Sequence, residues 1–293
     1  MQEIVNSNHP IERLIVSADE AIELASKYGM EDKSRLLAYR RISYVSVYKL
    51  DDFYDYYYGY MLPFTGYLKI FDLSLYEKGF LLRMPSTKCP YAPESYNNFE
   101  KISKVFMEQL DWCNLMGVKC IADLNDVIAR GGFDELVRIN EALHEKKIAN
   151  IADEITAKSD KVKIVLIAGP SSSGKTSFAQ RLCVQLRVNG IKPQAIGMDD
   201  YFVNRDKTPL GPDGKPDYEG LAALDLKKFN KDLNDLINGK EAIIPSYDFI
   251  TGKRRITGRK LKLHKGEIVV IEGIHGLNTE LTKAIPEEAK FRI

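Results

Sequence analysis

Gly169-Pro170-Ser171-Ser172-Ser173-Gly174-Lys175-Thr176 decides how the rest of the chain is read. It fits G-x-x-x-x-G-K-[ST], a loop whose backbone N–H groups cradle phosphate oxygens while the lysine reaches the terminal phosphates and the hydroxyl holds Mg²⁺. The flanks supply the context such a match needs. Residues 162–168 are apolar and rich in β-branched side chains, which reads as a buried parallel strand. Residues 177–188 carry Phe178, Leu182 and Leu186 at helical spacing, so a helix follows and turns its positive end toward the anion. Gly169, Ser171, Ser172, Ser173, Gly174, Lys175, Thr176 and Ser177 are therefore the expected phosphate-binding residues.

Two later strands end in acids. Residues 192–198 form a second short strand that stops at Asp199-Asp200-Tyr201-Phe202. The C-terminal end of a strand beside the phosphate-loop strand borders the crevice where open α/β sheets bind ligands. Asp199 is the candidate catalytic base there, alongside Lys175. In phosphoryl transfer a carboxylate orients the acceptor hydroxyl and takes its proton late, even when its own pKa is low. The competing reading is an acidic cap or turn, and Asp200 ranks second. Residues 267–271 form the third buried strand, and Glu272 at its end stands where the Mg²⁺ shell takes a carboxylate, usually through water. Thr176 and Glu272 are the metal candidates. His275 reads equally well as a hydrogen-bonded loop histidine and has no assignment.

The remainder of this half surrounds the same mouth. Residues 203–217 hold Pro209, Gly211, Pro212, Gly214 and Pro216 and predict a long loop, a feature that in compact domains is often functional. A helix is predicted over 226–237. Tyr247-Asp248-Phe249, followed by Gly252-Lys253-Arg254-Arg255 and a second basic cluster at Arg259, Lys260 and Lys262, predicts a hairpin with a charged tip. The charges suit a soluble edge that resists sheet-to-sheet association. The aromatics at its root offer a flat surface to a substrate.

The chain has 293 residues, which suggests about two domains. Its 42 basic and 41 acidic residues give a net charge of +1, so no global field favours nucleic acid or an anionic membrane. Cys89, Cys113, Cys120 and Cys183 show no C-x-x-C pair and no nearby His at zinc spacing, so reduced cytoplasmic thiols are expected. No leader pattern and no apolar run of membrane-span length is visible, so no membrane is expected as a partner.

The front half reads as α+β. Residues 1–16 carry little pattern beyond His9-Pro10. Ser17 and Glu20 form a capping-box pattern for a helix from Ala18 to about Gly29, and a second helix follows over 31–38. Strands are predicted over 42–49, 66–73 and 79–84. Between the first two lies an aromatic and acidic run at 51–60. Aromatic platforms bind single-stranded nucleic acid together with basic grooves, and the neighbours here are acidic, so packing is the expected role. Phe99, Ile102, Val105, Phe106, Leu110 and Cys113 make a helical stripe expected in the core. Residues 121–130 and 133–158 predict two more helices, with a domain boundary inside the second and His144 on its solvated face.

Taken together, GPSSSGKTS at 169–177, MDDYF at 198–202, SYDF at 246–249 and IEGIHG at 271–276 resemble the uridine kinase and phosphoribulokinase family. The resemblance spans residues 161–293. It implies an α/β domain with a P-loop NTPase-type parallel sheet and flanking helices, ATP and Mg²⁺ as cofactors, and phosphoryl transfer to a nucleoside 5′-hydroxyl. By position it implies that Asp199 contacts that hydroxyl, that Glu219 within Asp217-Tyr218-Glu219 holds the ribose hydroxyls, and that Tyr247 and Phe249 flank the base. Glu219 stands where the family usually has Asp, and Gly252 lies about where many uridine kinases place a base-reading His. The family's Arg-bearing lid and later strands would follow Ile293. The domain at 151–293 is thus expected to be incomplete at its C-terminal end and, lacking the lid's charge, to bind ATP·Mg²⁺ with little turnover.

Residues 1–150 resemble the second additional domain of threonyl-tRNA synthetase, as joined to a kinase in a bacterial nucleoside-kinase subfamily. That resemblance rests on Tyr58-Gly59-Tyr60 through Phe71-Asp72-Leu73. No His and Cys metal pattern is legible there, so no hydrolytic site is carried over, and the arrangement implies a segment of a longer protein. The expected partner is a nucleoside or another small hydroxyl acceptor. Two alternatives stay open: a sugar-phosphate kinase like phosphoribulokinase, and a nucleotide-binding regulatory protein whose front domain engages RNA or another partner. RNA binding lacks support from charge, and a homo-oligomer is compatible with the sequence.

Overall fold

The computed structural model describes residues 1–77 and 79–293, with the side chains of 256–258 outside that description. In the front half the elements are α1 (Gln2–Ser7), β1 (Ile11–Ser17), α2 (Ala18–Lys27), α3 (Glu31–Ala38), β2 (Tyr44–Leu50), β3 (Phe53–Tyr56), β4 (Asp72–Tyr76), β5 (Gly79–Arg83), α4 (Glu100–Met116) and α5 (Ile121–Ala129). Then come α6 (Phe133–Ala157), β6 (Ile164–Ile167), α7 (Lys175–Val188), β7 (Lys192–Gly197), α8 (Leu226–Ile237), β8 (Glu241–Asp248), β9 (Lys253–Lys262), β10 (Glu267–Glu272) and β11 (Lys290–Arg292). The chain divides into two compact units, Met1–Leu136 and Val137–Ile293. Among the described residues no helix is long and apolar enough to cross a membrane.

In the first unit β1, β2 and β3 form an antiparallel sheet in that order, and β4 pairs with β5. The Ser17 side chain accepts the Glu20 N–H at 3.2 Å and caps α2 as the spacing predicts. Ala21 and Leu37, from α2 and α3, pack on Val16, Val45 and Val47. Arg35 holds α5 through Asp123 and Asp126, each at 2.7 Å.

Four features of this unit depart from expectation. Residues 1–16 contain α1 and β1, because β1 is defined by its ladder to β2, from Ile11↔Leu50 to Ser17↔Tyr44, and not by local pattern. The strand expected at 66–73 begins only at Asp72. Upstream of it the Thr65 hydroxyl donates to the Ile4 carbonyl at 2.7 Å and the Gly66 N–H to Asn8 Oδ1 at 3.1 Å, which pins the segment to α1. α4 buries none of its residues, so its stripe is an apolar face and not core; periodicity reports such a face without saying what covers it. In the aromatic run, Tyr54 and Tyr56 lean on the core while Tyr58 and Tyr60 stand in solvent.

The second unit is built on four parallel strands in the order β11-β6-β10-β7. All four residues of β6 are buried, as a sheet covered on both faces requires. Its side chains alternate: Val165 and Ile167 meet Ile148, Ala152 and Ile155 of α6 with Leu182 and Leu186 of α7. Ile164 and Leu166 face the opposite way, toward Phe229, Leu233 and Leu236 of α8 and Ile244 of β8. The division between units falls inside α6, earlier than the expected boundary at 150/151. Ile148 belongs to the second core, and Arg181 of α7 grips Glu141 and Glu145 at 3.1 and 2.9 Å.

Ile148 lies well before the phosphate loop, yet it has no exposed surface. Replacing it with Ala leaves a cavity, and a core Ile→Ala change costs about 2–5 kcal/mol. Urea unfolding of I148A should show the second unit's transition at clearly lower denaturant; an unshifted midpoint would remove α6 from this core.

Candidate active site

β6 ends at Ile167, and the chain turns through residues 168–174 into α7. Ser172 at φ 59° and Gly174 at φ 83° give the loop its left-handed steps, a conformation that L side chains rarely adopt and that Ser172 holds at some strain. Gly169 is closely packed: a Cβ there would lie 2.7 Å from Ser173 Oγ and 3.2 Å from Lys175 Cγ, so those side chains would have to shift. Among the described residues the amides of Gly174, Lys175 and Thr176 donate to no backbone carbonyl, and that of Ser173 only reaches the Pro170 carbonyl at 3.3 Å. Unspent first-turn amides at a helix N-terminus make an anion site. The Lys175 ammonium folds over the loop and donates to the Pro170 carbonyl at 2.7 Å.

Glu272, at the end of β10, is brought to this loop by strand register, opposite Ile167. Thr176 Oγ1 donates to Glu272 Oε1 at 2.9 Å. A hydroxyl and a carboxylate side by side at the surface are hard oxygen donors of the kind Mg²⁺ takes. Among the described residues no group of three or more His, Cys, Asp and Glu comes together, so an ion here would draw its other ligands from phosphate and water.

β7 lies on the other side of β10 and runs into a 3-10 turn, Met198–Tyr201. Asp199 is exposed on that turn, in a recess that costs its carboxylate hydration. That loss, and then the negative charge of Glu272, raise its pKa above the ordinary value, while the Lys175 ammonium opposes the rise. The acid therefore shares one site with Glu272 and Lys175. Asp200 plays a structural part instead, since its Oδ1 accepts the Tyr247 N–H at 3.3 Å and braces β7 against β8. Tyr201 is buried, its hydroxyl donating to Asp232 Oδ2 at 3.1 Å. The glycines after Glu272 are close-approach positions. A Cβ on Gly273 would lie 2.6 Å from Met198 Cβ, and one on Gly276 would lie 2.7 Å from the Ile167 carbonyl oxygen.

Tyr247 and Phe249 meet Phe202 edge to face, with ring centroids 5.1 Å apart for Tyr247–Phe249, 5.6 Å for Phe202–Tyr247 and 6.5 Å for Phe202–Phe249. Arg205 donates to the Phe249 carbonyl at 2.8 Å. It also fills the space over Gly252, where φ is 64° and a Cβ would lie 2.8 Å from Arg205 Cβ, so a larger residue has no room. Glu219 lies in the loop closed at its root by the Phe202↔Leu224 bridge. Its N–H donates to Asp217 Oδ1 at 3.2 Å, and its exposed carboxylate has no hydrogen bond among the described residues. The structure thus brings Lys175, Thr176, Asp199 and Glu272 together and gathers Tyr247 with Phe249, while among the described residues no hydrogen bond joins Glu219 to either group.

Two residues at this mouth were missed in the sequence. Phe202 belongs to the MDDYF stretch, and its place beside Tyr247 is set by the hairpin. His144 lines a cavity of about 470 Å³ against the loop, with Pro170, Lys175 and Phe178. Its ring stacks on Phe178 at 6.5 Å between centroids, and its Nδ1 lies 3.1 Å from Arg181 Nη1. His144 is exposed, as expected, and the available signal for its place beside the loop was helical phase, since it stands four residues before the buried Ile148.

The second unit is a four-stranded parallel sheet flanked by helices, with a glycine-bearing loop leading from β6 into α7. Residues 164–287 match the model of the Phosphoribulokinase / Uridine kinase family. Over 120 residues the chain is 31% identical to uridine-cytidine kinase C of Dictyostelium discoideum, covering 41% of this chain and 24% of that protein. Over 117 residues it is 31% identical to a uridine kinase of Macrococcus caseolyticus, covering 40% of this chain and 55% of the relative. It is also 32% identical over 151 residues to inorganic pyrophosphatase TTM2 of Arabidopsis thaliana, covering 50% of this chain and 21% of that one. The chain therefore spans between about a fifth and just over half of these relatives' length. A solved structure of a possible uridine kinase from Bacillus stearothermophilus is similar with a TM-score of 0.41 and 26% identity, over 46% of this chain and 74% of that one. The resemblance of residues 1–150 to a threonyl-tRNA synthetase domain finds no support in these comparisons.

Asp199 gives a stability test. Its folded pKa lies above its unfolded value, so the folded state favours the protonated acid; that contribution is full below the ordinary 3.8 and is lost as pH rises through the raised value. Asp199→Asn, fixed in a neutral form, should melt higher than the parent at pH 7, and the gain should vanish as pH falls below 3.8. A melting temperature lower than the parent's at pH 7 would contradict the crowding assigned to this acid.

Proposed function

We propose that the second unit transfers a phosphoryl group from ATP to the 5′-hydroxyl of a nucleoside of the uridine or cytidine kind. The observation that carries this reading is the meeting of Lys175, Thr176, Asp199 and Glu272 at the anion-binding loop. The loop amides of 169–177 and the Lys175 ammonium hold the phosphates, and Thr176 and Glu272 hold Mg²⁺, which when bound neutralises phosphate charge. Asp199 accepts a hydrogen bond from the acceptor hydroxyl and aims its oxygen at the γ-phosphorus. As the new O–P bond forms and the bond to ADP breaks, the proton passes to Asp199. A carboxylate raised above its ordinary range is the better base, and Lys175 opposes that rise.

Tyr247, Phe249 and Phe202 supply edges and faces for a base, and Glu219 serves the ribose hydroxyls from the 203–224 loop. His144 and Phe178 wall the cavity that takes the nucleotide. A sugar-phosphate acceptor would call for free cations instead. Arg205, Arg254 and Arg255 at the hairpin are committed to the Phe249 carbonyl, to Asp225 and to Asp248, which favours the nucleoside.

A panel of nucleosides with ATP and Mg²⁺, assayed at enzyme concentrations and times that detect slow turnover, tests the reading. Uridine or cytidine should be phosphorylated, and Asp199→Asn should lower kcat by about 10²–10⁴-fold, the usual contribution of a general base, with the KM for ATP little changed. Absence of any phosphorylated nucleoside, with ATP hydrolysis indifferent to added nucleosides, would overturn it.

A further inference from the structure

The first unit contains a cavity of about 260 Å³ that sets two arginines among tyrosines. The run at 51–60 looks unsuited to nucleic acid because its sequence neighbours are acidic, and folding reverses that local picture. Asp55 is buried and ion-paired with Lys33, and Asp51 pairs with His9 at 2.8 Å. Two of the run's three acids are thus paired, Asp52 being the third, and cations arrive from other elements.

Arg13 of β1 lies 5.0 Å from the centroid of the Tyr60 ring, and Arg40, just beyond α3, lies 5.5 and 5.9 Å from those of Tyr56 and Tyr58. Neither guanidinium meets a carboxylate among the described residues. Arg13 donates to Ser46 Oγ at 2.8 Å and Arg40 to the Tyr56 hydroxyl. Guanidinium groups placed by rings and hydroxyls keep donors for a phosphate. Tyr58 and Tyr60 are 82% and 88% exposed. Their loop is fastened, because the Tyr48 hydroxyl donates to the Gly59 carbonyl at 2.6 Å and accepts the Met61 N–H at 3.2 Å.

We propose that this cavity binds a phosphorylated nucleotide unit, with the phosphate at Arg13 and Arg40 and the base on the Tyr58 or Tyr60 ring. Paired cations and open aromatic faces are what single-stranded nucleic acids and mononucleotides share as recognition chemistry. The site lies in the first unit and is independent of the kinase reading.

Fluorescence anisotropy of labelled decauridylate, with uridine 5′-monophosphate as competitor, tests this on the full chain. Binding should weaken about tenfold in Y58A/Y60A, the usual scale of base stacking. It should weaken at least as much in R13Q/R40Q, and it should fall about sevenfold between 50 and 200 mM salt if two phosphates are neutralised. R13Q/Y60A changes only exposed side chains and serves as the control for folding. A decamer that binds far more tightly than the monophosphate points to a strand as the source; equal affinities point to a free nucleotide. Failure of both probes to bind, binding indifferent to R13Q/Y60A, or binding lost in K175A instead would overturn the proposal.

Discussion

Register between three parallel strands holds the second unit's chemistry in place. Ile167 of β6 stands opposite Glu272 of β10, which stands opposite Gly197 of β7. Three strand ends therefore finish on one line, with the phosphate loop, the Glu272 carboxylate and the Asp199 turn rising from it side by side. A slip of one residue would move a neighbour by about 3.3 Å and turn its side chains to the other face of the sheet. Gly273 and Gly276 let the chain after β10 press against Met198 and Ile167, which a Cβ at either position would obstruct.

From that line follows a charge arrangement balanced between opposing demands. Glu272 is drawn to the loop by the Thr176 hydroxyl, and its charge then weighs on Asp199. Lys175 offsets part of that load. Asp200, one residue on, is spent on the brace to Tyr247 and adds further negative charge to its neighbour. Two adjacent acids thus differ in role because one faces the crevice and the other a backbone amide.

What was legible in the sequence is what local pattern encodes. The loop, its flanking strand and helix, the acids closing β7 and β10, the capped α2 and the limits of α8 all follow from motif, spacing and caps. What escaped depends on contacts between distant residues. β1 exists through its ladder with β2, and His144 reaches the loop because α6 packs on α7 through the shared core and Arg181. Arg13 and Arg40 come from outside the tyrosine run, so the charge surrounding those rings could not be counted along the chain. Gly252 reads as a missing side chain by position, whereas the structure shows Arg205 occupying its space.

The most direct measurement is a structure of the chain with a non-hydrolysable ATP analogue, Mg²⁺ and uridine. The account predicts phosphates among the amides of 171–177, a metal ion touching Thr176 with Glu272 on its shell, and the uridine 5′-hydroxyl about 3 Å from the Asp199 carboxylate. Phosphates outside the loop, or a nucleoside whose hydroxyl lies away from Asp199, would contradict it.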